Sequence, residues 1–211
     1  MPAPGFPLPL RNALAAIAID GLDDDDARAA LTWLAGDADA PGDAASARLV
    51  GAHLVDPGSS ALLAVHAPWE PAIRAHATRA LRAAAAPRPP ASGAAVTDAV
   101  GRAAVLWNEQ LFFEVHEVLE AVWVRETGDV RQALQGLIQI AVAYHHLAHG
   151  NPRGARTLLR EGRARLEATA HDLVPLLDRT ALLDDTAVWQ TALESDAPSP
   201  PGSTPPRLRL C

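Results

Sequence analysis

Apolar residues recur at helical spacing along most of the chain, and no stretch alternates with a period of two over a useful length. Leu10, Leu14 and Ile17 share one stripe and predict a helix over 9–19. Asp23, Asp24, Asp25 and Asp26 then precede a second helix over 27–34, with Gly36 as its stop. Four consecutive acids suggest a cation site at first sight. The simpler reading is a helix N-terminus, where carboxylates cap free amides and oppose the positive dipole end. Further helices are expected over 43–55, 59–66 and 70–86. A later helix starts near Thr97, carries Val100, Ala104 and Trp107, and continues or bends into 111–125. Gly128 is its stop. Asp129 is the expected cap of the next helix, with Gln132 completing a capping box. That helix reaches about His149. Gly150 ends it, Asn151 caps the following helix, and Pro152 takes the first helical position. The fourth helix of this region covers about 153–170, and a short final one over 185–194 carries Trp189. The fold class is all-α.

Pro87, Pro89 and Pro90 cannot continue a helix, because each lacks an amide hydrogen and restricts its predecessor. They divide the chain into an Ala-rich helical region, 1–86, a linker, 87–96, and an antiparallel helical bundle, 97–194. Residues 195–211 contain five prolines and few apolar side chains, so they are expected to form a flexible tail. Within the first region, 70–81 resembles the second-helix pattern of a HEAT repeat. A weaker echo lies near Arg28, at about the right period.

Composition narrows the class of protein. Asp and Glu total 25 against 18 basic residues, for a net charge of -7, and no lysine is present. A nucleic-acid partner would normally face a concentrated basic surface, so none is expected. No segment approaches the ~18 uncharged apolar residues of a membrane span, and no signal-peptide pattern appears. Cys211 is the single cysteine, which fits a cytoplasmic location.

One polar constellation stands out. Phe112, Val115, Leu119 and Val122 form an apolar stripe, and Phe113, His116, Glu120 and Trp123 an adjacent one. His116 and Glu120 thus lie one turn apart, with Glu117 about 100° around the helix. Ionisable groups on a core-facing stripe need partners, and the next helix offers His145. Counted outward from Gly128 in an antiparallel pair, Glu120 falls opposite Gly136 and His116 opposite Ile140. His145 lies about one turn further, and Gly136 would permit close approach. Phe113, Trp123, Gln135, Gln139 and Tyr144 are the candidate pocket-lining residues.

Trp107-Asn108, Phe112-Phe113-Glu114, the His116-to-Glu120 run and Trp123 are followed by Leu134-Gln135-Gly136-Leu137-Ile138-Gln139. Tyr144-His145, Gly150-Asn151 and Gly154-Ala155 come next. In this order they resemble domain-of-unknown-function family 309, a set of small, helical, histidine-bearing prokaryotic domains, over about 97–194. One departure is Gln110, where the family usually has Gly. The resemblance implies a fold and a motif, with no reaction attached.

Several readings of the cluster are open. A zincin protease needs a second His where this chain has Glu120. A divalent metal would take His116, Glu120 and His145, with Glu117 nearby, as mixed nitrogen and oxygen ligands. A catalytic His–Glu dyad would use Glu120 or Glu117 to orient His116 as a general base, but no nucleophile is recognisable beside it. The plainest reading is a buried hydrogen-bonded network that fixes helix register, a homo-oligomer interface or a small-ligand pocket. The expected function is accordingly a cytosolic structural or small-ligand-binding domain. The alternatives are a metal-dependent hydrolase-like enzyme and a protein-interaction module built on the N-terminal helices. Asn151 to Arg156 would suit an anion or a plain cap. His149 and His171 are read as surface residues, and the arginines and glutamates of 160–167 as a solvated face.

Overall fold

The computed structural model describes residues 5–59, 61–170, 173–195 and 204–211. They form nine α-helices, one 3-10 helix and two isolated β-bridges, and among them there is no strand. The chain divides into two compact units, one ending at Ala86 and the other starting at Pro87. His171 and residues 196–203 lie outside the described residues.

In the first unit, α1 (Leu8–Asp20), α2 (Asp25–Ala35), α3 (Asp43–Gly51) and α4 (Glu70–Ala85) enclose an Ala- and Leu-rich core. The acidic run behaves as a cap. The Asp24 carboxylate accepts the Ala27 amide at 2.7 Å, and Asp25 and Asp26 occupy the first turn of α2. The segment resembling a HEAT helix lies in α4, which packs on α2, where the weaker echo sits. At that contact the Arg74 guanidinium lies over Gly36, whose φ of +84 no β-branched residue would adopt.

Two expectations for this unit fail. Among the described residues of 59–66 no α-helix forms. The Asp56 carboxylate instead accepts the amides of Gly58 and Ser59 in a tight turn, Val55 pairs with Leu62, and a 3-10 helix follows over Ala64–Trp69. The helix expected over 43–55 ends at Gly51 because His53 turns left-handed, at φ +55.

The second unit is a bundle of α5 (Ala95–Asn108), α6 (Phe112–Trp123), α7 (Gly128–Ala148), α8 (Pro152–Ala168) and α9 (Arg179–Glu194). Its entry is tied by Asp98, which accepts both the amide and the hydroxyl of Ser92 and the Gly93 amide. These bonds, the Ser92 amide foremost, hold the Asp98 carboxyl below its ordinary pKa. The central helix is α7. From Leu137 to Ala141 every residue is buried, as expected of a helix covered on several sides. It packs against α6 and, more extensively, against α8. Trp107, Phe112, Tyr144 and Trp189 interlock at ring-centroid distances of 5.4–5.7 Å, joining α5, α6, α7 and α9.

One cap differs from expectation. The residue before α7 is Thr127, without a side-chain capping bond, so the Asp129–Gln132 capping box does not form; Asp129 lies in the first turn instead. Between α5 and α6 the chain bends. The Leu111 amide bonds to the Leu106 carbonyl and the Gln110 amide to that of Trp107, with Gln110 left-handed at φ +58. This is the helix ending that normally takes glycine. A side chain there costs about 1–2 kcal/mol, partly offset by the greater backbone freedom glycine loses on folding. Gln110→Gly is therefore expected to stabilise the protein by about 0.5–1 kcal/mol, read as a higher urea midpoint at unchanged slope.

The tail expectation is also corrected in part. Residues 204–211 pack on the second unit: Leu208 is 2 % exposed, and Leu177 pairs with Leu210 in an antiparallel bridge. Their order comes mainly from main-chain hydrogen bonds, which composition does not reveal.

Candidate functional site at the rim of the bundle

The core side of α6 is set by Phe112, Val115, Val118 and Leu119, all buried, together with Glu114 at 3 % exposure. The neighbouring stripe of Phe113, His116, Glu120 and Trp123 is only half-buried, because it lies at the edge of the faces that α5 and α7 cover. The His116, Glu117 and Glu120 side chains are 26 %, 41 % and 46 % exposed. The expected buried cluster is thus a rim cluster in contact with water.

The two nitrogens of the His116 ring face different carboxylates. Nδ1 lies 3.0 Å from Glu117 Oε1, a hydrogen bond, and Nε2 lies 3.8 Å from Glu120 Oε2, beyond one. Each of the three residues offers a ligand atom, and these atoms all lie within 4.8 Å of one another. An ion holding two ligands at ~2.0–2.2 Å in a tetrahedral arrangement spaces them roughly 3.4 Å apart, so Nε2 and Glu120 need only a small rotamer adjustment. Glu117 at Nδ1 is placed as the carboxylate that typically fixes the tautomer of a ligating histidine.

His145 stands outside this group. The Phe113 ring packs against both imidazoles, 6.0 Å from His116 and 5.9 Å from His145 between ring centroids. His145 instead lies 4.2 Å from the His149 ring. The candidate ligand set therefore contracts to a single helix. The residues expected to line a pocket also separate. Tyr144 belongs to the aromatic core, where burial foremost raises its pKa. Gln139 donates to Glu161 at 3.0 Å and accepts from Arg165 at 3.0 Å, so it serves the α7–α8 contact. Gln135 is half-buried on α7. Gly136 does not open the approach of α6: a Cβ there would lie 2.8 Å from the Gly162 carbonyl of α8.

Trp123 has a partner that the sequence stripe does not show. The Arg131 guanidinium lies 3.6 Å from the centroid of its ring and donates to the carbonyls of Trp123 and Glu126, at 2.8 and 3.2 Å. A cation thereby closes the negative end of α6. Two other residues were not anticipated. Glu114 is a buried carboxylate one turn before Val118, a position that only the core packing of α6 reveals. Arg163, read as part of a solvated face, is 12 % exposed and donates to the Leu183 carbonyl and the Thr186 hydroxyl of α9. Asn151 acts as a plain cap, accepting the Gly154 amide at 3.0 Å.

A curated relative from Aquifex aeolicus (strain VF5), described as "Uncharacterized protein", is 32% identical over 56 residues, which are 26% of this chain and 17% of the relative. The chain thus spans less than a fifth of that relative's length. No solved structure matches the chain. Among the described residues no helix is long and apolar enough to cross a membrane. Residues 100–158, from α5 into α8 and including Trp107, Asn108 and the whole His116–Glu120 cluster, match the family described as "Domain of unknown function (DUF309)".

Proposed function

We propose that the bundle is a cytosolic binding domain that holds a divalent metal ion at the rim of α6, through His116 and Glu120, with Glu117 orienting the imidazole. The observation that carries this reading is the His116 ring set between two carboxylates in a half-exposed position. A network built only to fix helix register gains most when it is dry and fully paired. Here both glutamates reach water, which suits an exchangeable ion that keeps solvent in its remaining positions. Zinc and manganese fit the mixed nitrogen and oxygen donors. The partner would be a small molecule reaching those solvent-filled positions, rather than nucleic acid or membrane.

The test is equilibrium dialysis of untagged protein against zinc and manganese, with bound metal counted per chain. One ion per chain is expected. His116→Ala and Glu120→Gln should abolish saturable binding, and Glu117→Gln should weaken it about 10–100-fold. Metal uptake unchanged in His116→Ala, or none by the parent protein, would overturn the proposal. The same open positions are what a metal-bound water needs for hydrolysis, the second reading. Turnover of a generic phosphate or carboxylic ester by the loaded protein, lost in His116→Ala, would favour it.

A further inference from the structure

The last two residues of α5 hold the final residues of the chain by their backbone. Trp107 Nε1 donates to the Pro206 carbonyl at 2.6 Å. The Asn108 carboxamide clamps both main-chain groups of Leu208: its oxygen accepts the Leu208 amide at 2.9 Å, and its nitrogen donates to the Leu208 carbonyl at 3.3 Å. On the other side, the Asp178 amide donates to the Arg209 carbonyl at 3.0 Å, and the Cys211 amide to the Leu176 carbonyl at 2.8 Å. The segment also has the side-chain alternation of an extended strand. Leu208 is buried and Leu210 half-buried, while Arg207 and Arg209 are exposed, with Arg209 reaching Asp185 at 3.0 Å.

This is the chemistry by which proteins take up extended peptides: main-chain bonds supply affinity, and alternate side chains supply specificity. The clamp and its occupant are also separate in the sequence. Trp107 and Asn108 lie inside the stretch that matches the family, whereas residues 204–211 lie well beyond it. The sequence of residues 196–203, Asp-Ala-Pro-Ser-Pro-Pro-Gly-Ser, contains no large apolar side chain.

We propose that Trp107, Asn108 and the 176–178 turn form a docking site for an extended peptide with a leucine between basic residues. Residues 205–210 of this chain are its occupant in cis, a separable ligand and not part of the bundle's core. The selectivity follows from the pairing: one leucine enters the protein, Asp185 favours a cation beside it, and the preceding prolines are already extended.

The full chain carrying Leu208→Asp and Arg209→Glu displaces the internal ligand while leaving it tethered. A fluorescent peptide of residues 204–211 with Cys211→Ser is then titrated by anisotropy. This variant should keep the parent's circular dichroism spectrum and bind the peptide saturably, one to one. The parent, with its site filled, should bind at least about tenfold more weakly, as should the variant further changed by Asn108→Ala, which loses both Leu208 bonds. A peptide carrying Leu208→Asp should not bind. Unfolding of the double variant would show the segment to be core and overturn the proposal. So would absence of binding, or equal binding of both peptides.

Discussion

Replacing Gly162 by alanine is expected to destabilise the bundle by about 2–3 kcal/mol, although alanine is the better helix former by about 1 kcal/mol. At this point α7 and α8 meet backbone to backbone. A Cβ on Gly162 would lie 2.6 Å from the Gly136 carbonyl and 2.8 Å from Ile140 Cγ1, and one on Gly136 would lie 2.8 Å from the Gly162 carbonyl. Neither carbonyl can turn aside without breaking its own helical bond, so the helices must separate along the most extensive contact in the bundle. Once separated by one methyl group, they accommodate the second more cheaply. The Gly136→Ala, Gly162→Ala pair should therefore cost less than the sum of its parts. Urea denaturation of the two single variants and the double one measures all three quantities. A neutral or stabilising Gly162→Ala would mean the helices do not cross this closely.

The adjacent residue carries the other large effect. Arg163→Met is expected to cost about 2–4 kcal/mol. Arg163 is nearly enclosed, and its guanidinium ties α8 to α9 through the Leu183 carbonyl and the Thr186 hydroxyl. Methionine fills much of the same volume but removes the charged donor from a part-buried carbonyl, leaving it only the Thr186 hydroxyl at 3.2 Å. Thr186 is fully buried and donates onward to the Leu182 carbonyl at 2.7 Å, so the loss spreads along the first turns of α9. Combining Arg163→Met with Thr186→Val should show a coupling of at least about 1 kcal/mol, since both changes remove the same bond.

Helical periodicity was enough to find most of these elements, because a stripe such as Phe112, Val115 and Leu119 has the same meaning wherever the helix packs. It was not enough to say how far each flank of the stripe is covered. His116 and Glu120 stand one row away from the core of α6, and only the placement of α5 and α7 decides that this row meets water. Gly136 illustrates the same limit. Its lack of a side chain signals a close approach, but the partner is Gly162 of α8 and not the helix that carries His116. Arg163 was misplaced because an amphipathic helix with several arginines does not reveal which of them points across to a neighbour. In 59–66 an apolar run lost to a local turn, where the Asp56 carboxylate binds two successive amides. The end of the chain was misjudged for a different reason. Its attachment uses carbonyl and amide groups that every residue possesses, and only Leu208 adds a buried side chain.

The Asn108 clamp has a bearing on biosynthesis. Its two bonds join positions 100 residues apart. At 5–20 residues per second, Trp107 and Asn108 are translated roughly 5–20 s before Leu208, and the 176–178 turn roughly 1.5–6 s before it. Only in that second, shorter interval would the proposed edge be complete and vacant, open to another extended stretch of like chemistry before its own ligand has been made.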